Sequence, residues 1–383
     1  MSNSKDIPAA EPDPNAALAR ALSWHSTAPI RIDQAGSPAH GAIMHGLDRK
    51  QGSPLGVYTE ITGYSISLNV FLLRARRDQR FLRGAMDSGD YLVRIQTAEG
   101  AYPDLPDPAN PLSPVRLFSF DTAMCIAGMA RLASAAGAVE APRCTRSAIA
   151  AGKWLLRMQR PDGSFTAMLL PRVGPRDPGG FHGDGSCIHA KNAIALLELH
   201  AMKGGEDFRD AAVKACEHAL TLQASDGAFW STHARQTVFT HAHCYACEGL
   251  LFAGSVLGDD RFLAAARRGI EWLARRQQVD GSLPSSCKGS LMSRRRLAEA
   301  IRRPRPTDAA AQAARLFRLA GPDYEKHRSA AIRFLVRCQD DGGGFPYHRT
   351  RFGYSPFLYT WAAQFAIQAL EWSSGTARVE DLF

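Results

Sequence analysis

The sequence predicts an all-α fold, a single (α/α)6 barrel of six helical hairpins, and three observations carry that prediction. A short turn motif recurs five times along the chain. An amphipathic helical segment precedes each copy. A second set of helical segments, apolar on most faces, alternates with the first.

The turn copies are 96-QTAEGAY-102, 159-QRPDGSF-165, 223-QASDGAF-229, 277-QQVDGSL-283 and 339-QDDGGGF-345. Their glutamines are spaced by 63, 64, 54 and 62 residues, a period expected of stacked supersecondary units. The segments 151-AGKWLLRM-158, 270-IEWLARR-276 and 331-AIRFLVRC-338 lead into three of them, with apolar residues at i, i+3, i+4 and basic residues at the end. Asp-Gly then supplies the turn, glycine allowing positive φ, and the following aromatic or Leu folds back onto the helix end.

The apolar segments are 64–75, 121–134, 187–201, 241–254, 308–320 and 357–372. Such helices belong inside, and the amphipathic ones wrap around them. Five outer helices end in the repeated turn, and 15-NAALARALSW-24 supplies the sixth. The expected organisation is a flexible N-terminal tail over 1–14, the barrel over 15–375 and a C-terminal tail over 376–383. No strand-rich segment of any length is expected.

The turn copies resemble the QW-type repeats of terpene cyclases and protein prenyltransferase β subunits. They also resemble the hairpin repeats of carbohydrate-active toroids: glucuronyl C5-epimerases, polysaccharide-lyase-like proteins and six-hairpin glycosidases. The resemblance covers roughly residues 60–375 and implies a toroid. The cyclase acid motif is broken here: 118-FSFDTA-123 keeps Asp121, Thr122 and Ala123, with Phe118 and Phe120 in place of the other acids. The zinc pattern of the prenyltransferases, an Asp-x-Cys pair, is absent. The segments 58-YTEITGY-64 and 239-FTHAHCYACEGLL-251 are closer in style to sugar-processing toroids, where His, Tyr and Glu at inner helix starts line a cleft.

Composition bounds the function without choosing it. The chain has 383 residues, 45% hydrophobic and 22% charged, with a formal net charge of +9. A basic balance favours anionic partners. The densest basic run, 294-RRRLAEAIRRPR-305, reads as a solvated face or a binding patch. No signal peptide or membrane-spanning run is read, and the eight cysteines sit mostly in apolar helical runs. A cytoplasmic, reducing location is therefore expected.

In such a barrel the inner helix N-termini share one mouth, where anions and ligands are favoured. Candidate catalytic residues are His189, His243, Tyr64, Tyr359, Asp121 and Asp308. Candidate substrate-binding residues are Glu60, Lys191, Asn192, His241, Arg351 and Tyr354, with Tyr58, His182, Tyr245 and His348 nearby. Clustered imidazoles at buried helix starts need partners or a ligand, so His189, His241 and His243 stand out. The acids also suit helix capping, and the tyrosines core packing. His243 with Cys247 and His241 with Cys244 share helix faces, but Cys-x-x-Cys occurs once, so no metal and no cofactor is expected.

The expected function is that of an intracellular carbohydrate-active enzyme on an acidic, uronate-type sugar. It would act by proton abstraction, as a lyase or C5-epimerase, or by hydrolysis. In the first case Arg351, Lys191 or Asn192 holds the carboxylate, His243 or His189 is the base and Tyr64 or Tyr359 the acid. Hydrolysis would use Asp121 and Asp308. The alternatives are an isoprenoid enzyme, with an aromatic cavity drawing on Phe118, Phe120, Trp361 and Phe365, and a non-catalytic glycan-binding toroid. Nucleic acid is not an expected partner, and the sequence leaves the oligomeric state open.

Overall fold

The computed structural model describes residues 13–104, 113–137, 140–202, 204–232, 237–288 and 304–383. Most of the Arg-rich segment, up to residue 303, lies outside the described residues.

Six inner helices alternate with six outer ones. The inner helices are Thr59–Arg76, Ser119–Ala135, Cys187–Ala201 (opening with a 3-10 turn over Cys187–Lys191), Thr240–Leu257, Thr307–Ala320 and Thr360–Ser374. The outer helices are Pro14–Thr27, Gln79–Ile95, Ala141–Met158, Glu206–Thr221, Asp260–Arg276 and Glu325–Cys338. Each inner helix touches the next, and the sixth touches the first, so the ring closes. This is the predicted (α/α)6 barrel.

Local sequence explains the two kinds of helix. The outer helix Asp260–Arg276 buries Phe262, Ala265, Ala266, Gly269, Ile270, Trp272 and Leu273, the spacing of one face. Asp259 caps it by accepting from the Arg261 N–H (2.9 Å), and Arg275 and Arg276 lie in its last turn. The inner helix Ser119–Ala135 buries every residue from Ser119 to Ala133.

The repeated turn is a staple between outer helices. Gln159 donates to the carbonyls of Gly163 (3.2 Å) in its own turn and Ala211 (2.9 Å) in the next outer helix. Gln223 does the same to Gly227 and Ala265, Gln277 to Gly281 and His327, and Gln96 to Gly100 and Ser147. The last copy closes the circle: Gln339 donates to Gly343 and to Ala17 of the N-terminal helix. The aromatic or Leu ending each copy (Tyr102, Phe165, Phe229, Leu283, Phe345) is fully buried.

Two features were not expected. The loops leading into the inner helices carry short antiparallel strands. Phe118 pairs with Met168, Phe239 with Ser286, Pro306 with His348, and Gly46 with Tyr359. Strands of two or three residues show no periodicity that a sequence could reveal. The second feature is at the C-terminal side of the inner helices, where residues 376–383 pack against the barrel. Leu382 and Phe383 are buried there, and their carbonyls accept from Arg131 (2.6 Å) and Arg315 (3.0 Å).

Candidate active site

A cavity of ≈ 360 Å³ opens at the mouth formed by the inner helix N-termini. All six inner helices reach it. Glu60 and Ile61 come from the first, Phe120 from the second, Ile188 from the third, His241 and Tyr245 from the fourth, Asp308 from the fifth and Trp361 from the sixth. His45, Tyr58, Phe181, His182, Tyr347 and Tyr359 complete the wall from the loops.

One local pattern positions most of these groups. Inner helices begin with a hydroxyl residue whose side chain donates to a carbonyl of another loop. Thr59 bonds Pro103 (2.6 Å), Ser119 bonds Thr166 (2.5 Å), Thr307 bonds Pro346 (2.8 Å) and Thr360 bonds Met44 (2.8 Å). Thr240 bonds Pro284 in the same way. The residue directly after each of these five is Glu60, Phe120, His241, Asp308 or Trp361, and all five line the cavity.

The walls are aromatic. His45 stacks on Tyr359 (4.7 Å between ring centroids) and on Trp361 (4.9 Å). Tyr359 and Trp361 are themselves stacked at 4.3 Å. Phe181 meets His241 edge-on at 4.2 Å, and Phe120 lies 5.0 Å from Tyr245. Flat rings around a small concave space suit the faces of a sugar.

Burial shifts both acids on the wall upward. It raises the Glu60 carboxyl to about 7, against the pull of Lys191. Burial likewise raises Asp308 to about 6, although its Oδ2 accepts from the Trp361 indole N–H (3.0 Å) and its Oδ1 from the Ala309 N–H (2.6 Å). Burial holds His45, His182 and His241 down at about 4, so these imidazoles are neutral at pH 7. No Lys or Arg lines the cavity among the described residues.

The sequence candidates divide into four groups. Glu60, His241, Asp308 and Tyr359 line the cavity. Asp121 lies buried behind the wall. Its burial and the neighbouring Glu60 and Asp104 push its carboxyl well up. Tyr64, Lys191 and Asn192 lie deeper in the barrel. There Lys191 pairs with Glu248 (2.8 Å), Glu248 pairs with Arg315 (2.6 Å), and Lys191 sits over the rings of Tyr64, Tyr245 and Phe365. Their place is the support of the floor, and Lys191, already ion-paired, is not set to hold a substrate carboxylate directly.

The remaining four face elsewhere. His243 accepts at Nδ1 from the Phe229 N–H (3.0 Å), so its proton is on Nε2, which donates to the Gly269 carbonyl (3.0 Å). It bolts the third turn copy to the barrel and is no base. His189 is buried against Phe165 of the second copy (5.6 Å), as His243 is against Phe229 (5.5 Å), and is held down to about 3 by burial. Arg351 and Tyr354 stand on a hairpin outside the cavity. His45, Phe181 and Tyr347 were missed because they belong to loops, where no helical period marks them.

Among the described residues, no group of three or more His, Cys, Asp or Glu side chains is gathered as metal ligands. No described helix is long and apolar enough to cross a membrane.

No protein-family model matches the chain, and no curated protein matches it. Solved structures do. An unsaturated glucuronyl hydrolase specific for heparin superposes with a TM-score of 0.67 at 12% identity, over 94% of this chain and 96% of its own. A sugar epimerase from a ruminal bacterium gives 0.75 at 11%, over 95% and 98%. The cellobiose 2-epimerase of Spirochaeta thermophila DSM 6192 gives 0.68 at 16%, over 93% and 97%. The chain thus has the toroid fold found in carbohydrate-active proteins.

Proposed function

We propose that this protein is a carbohydrate-active enzyme that hydrolyses the bond to a terminal sugar held in the mouth cavity. The observation that carries the reading is the pair of carboxyls, Glu60 and Asp308, raised to about 7 and about 6 on one aromatic-walled cavity. Near neutral pH the first keeps its proton more readily than the second. Glu60 is then the general acid toward the glycosidic oxygen, and Asp308 the base that takes a proton from water. The His45–Tyr359–Trp361 stack receives the sugar face, and neutral His182 and His241 hydrogen-bond its hydroxyls. A cavity of ≈ 360 Å³ at the mouth suits the end of a chain better than its middle. The substrate class we propose is a uronate-ended saccharide, its carboxylate taken by neutral donors: tyrosine hydroxyls and imidazole N–H groups. Glucuronyl hydrolases with the same fold support this choice.

A second reading rests on the absence of Lys and Arg from the described lining. A neutral saccharide fits such a wall without an unpaired carboxylate. The same acid and base would then exchange a proton beside a carbonyl, an epimerisation.

The test is a panel of uronate-ended and neutral oligosaccharides, followed by chromatography for released sugar and by NMR in D2O for solvent deuterium at carbon. Release of the terminal uronate is expected, with kcat lowered about 10²- to 10⁴-fold in Asp308→Asn. Deuterium incorporation without release would favour the second reading. Silence on every saccharide would overturn both.

A further inference from the structure

The chain leaves the cavity wall at Tyr347 and returns to it at Tyr359. Between these residues it makes a hairpin, in which His348–Thr350 pairs antiparallel with Gly353–Tyr354. Arg305–Pro306 adds a third strand on the other side of His348–Thr350, leading directly into the helix that carries Asp308. The hairpin is therefore an outward continuation of the catalytic wall.

Its tip carries a surface that folding does not need. Phe352 is 85% exposed and Tyr354 is 43% exposed. The Arg351 guanidinium lies over Phe352 (4.4 Å to the centroid) and that of Arg349 near Tyr354 (5.9 Å). Tyr354 is held in place by donating its hydroxyl to the Arg337 carbonyl (3.2 Å). Residues 347–359 contain no Asp or Glu. Among the described residues Arg305 is paired with Asp280 (2.6 Å), but Arg349 and Arg351 have no carboxylate at ion-pair distance. Two guanidinium groups that meet no carboxylate among the described residues, beside two exposed rings, match a ligand that offers carboxylates or sulfates together with flat sugar faces.

We propose that this hairpin is an outer binding arm for the anionic continuation of an oligosaccharide whose end occupies the cavity. Arg349 and Arg351 take the acidic groups of the following sugars, and Phe352 and Tyr354 their ring faces. The proposal rests on the cavity being the site of a saccharide enzyme. It assigns the anionic selectivity to the arm, since the described cavity lining carries no cation.

The test is calorimetric binding of polygalacturonate oligomers of increasing length to the full chain. The triple variant Arg349→Ala/Arg351→Ala/Phe352→Ser is compared with Arg209→Ala/Lys214→Ala, which removes the same charge from the outer wall. The arm predicts that the triple variant weakens hexamer binding about tenfold and flattens its salt dependence, with a smaller loss on shorter oligomers. The outer-wall variant should bind as the wild type does. Equal hexamer affinity in the triple variant and wild type would overturn the arm, as would an equal loss on neutral maltohexaose. Tighter arm-dependent binding of single-stranded DNA of matched charge would also overturn it. Turnover with arm-independent affinity would sink the arm alone. Arm-dependent binding without turnover of any saccharide would sink the hydrolase reading alone.

Discussion

His241 and His243 are two residues apart on one helix and serve different purposes. Two residues turn an α-helix by about 200°, so when one imidazole faces the cavity the other faces the outer layer. The clustering of histidines at inner helix starts was legible in the sequence, but their facing was not. His243 is fully buried, and burial lowers it to about 4 from 6.5. Its two hydrogen bonds to backbone predict that His243→Gln destabilises the protein by roughly 2–4 kcal/mol at pH 7 while folded protein keeps its saccharide-binding affinity. The pH dependence follows from the sign of the shift. Below 6.5 the unfolded chain binds a proton that the folded state refuses, so wild-type stability falls as pH falls toward 4. The variant lacks that loss. Its deficit against wild type should shrink by about 1.4 kcal/mol per pH unit below 6.5. Urea unfolding at pH 7 and pH 5 measures it, and a constant deficit would contradict the assignment.

The turn copies made the outer layer readable, because Asp-Gly and the returning aromatic are local signals. The role of the glutamine was not local, since its second acceptor lies some 40 to 50 residues away in the next hairpin. The hydroxyl starts of the inner helices were hidden for the same reason. Yet 58-YTE-60, 118-FSF-120, 239-FTH-241, 306-PTD-308 and 359-YTW-361 form a second repeat, and its third residue is the cavity residue each time. Glycine in the turns gives a prediction with an internal control. Gly227 has φ +93°, and a Cβ there would stand 2.3 Å from the Arg268 carbonyl oxygen. Gly258 has φ +69° and meets nothing within 4 Å. Both alanine variants bear the backbone strain of positive φ, about 1 kcal/mol, and only Gly227→Ala must also push the neighbouring outer helix away. Denaturant midpoints should show Gly227→Ala several times costlier, roughly 3 kcal/mol or more. Equal costs would mean that the turns do not hold the hairpins together.

At the scale of the molecule, closing six hairpins into a ring brings the first and fifth inner helices to one cavity, where Glu60 meets the same space as Asp308. That convergence was read from the barrel, since inner helix starts share a mouth. The proposed pairing of Asp308 with Glu60 in place of Asp121 was not, because it depends on which acids face the cavity. The ring also carries a buried ion network beneath the cavity, Lys191–Glu248–Arg315, whose Lys191 end bears on Glu60. Charged residues such as Glu248, set in the apolar run CYACEGLL, were the visible trace of it. The central claim is that Glu60 and Asp308 are the acid and the base. The most direct measurement of it is the pH dependence of kcat/KM on a uronate-ended saccharide, for wild type and Glu60→Gln. The wild type should rise as Asp308 ionises through about 6 and fall as Glu60 ionises through about 7. Glu60→Gln should keep a small residual activity that rises through about 6 with no fall above it. An unchanged alkaline limb in that variant, or undiminished activity, would contradict the account.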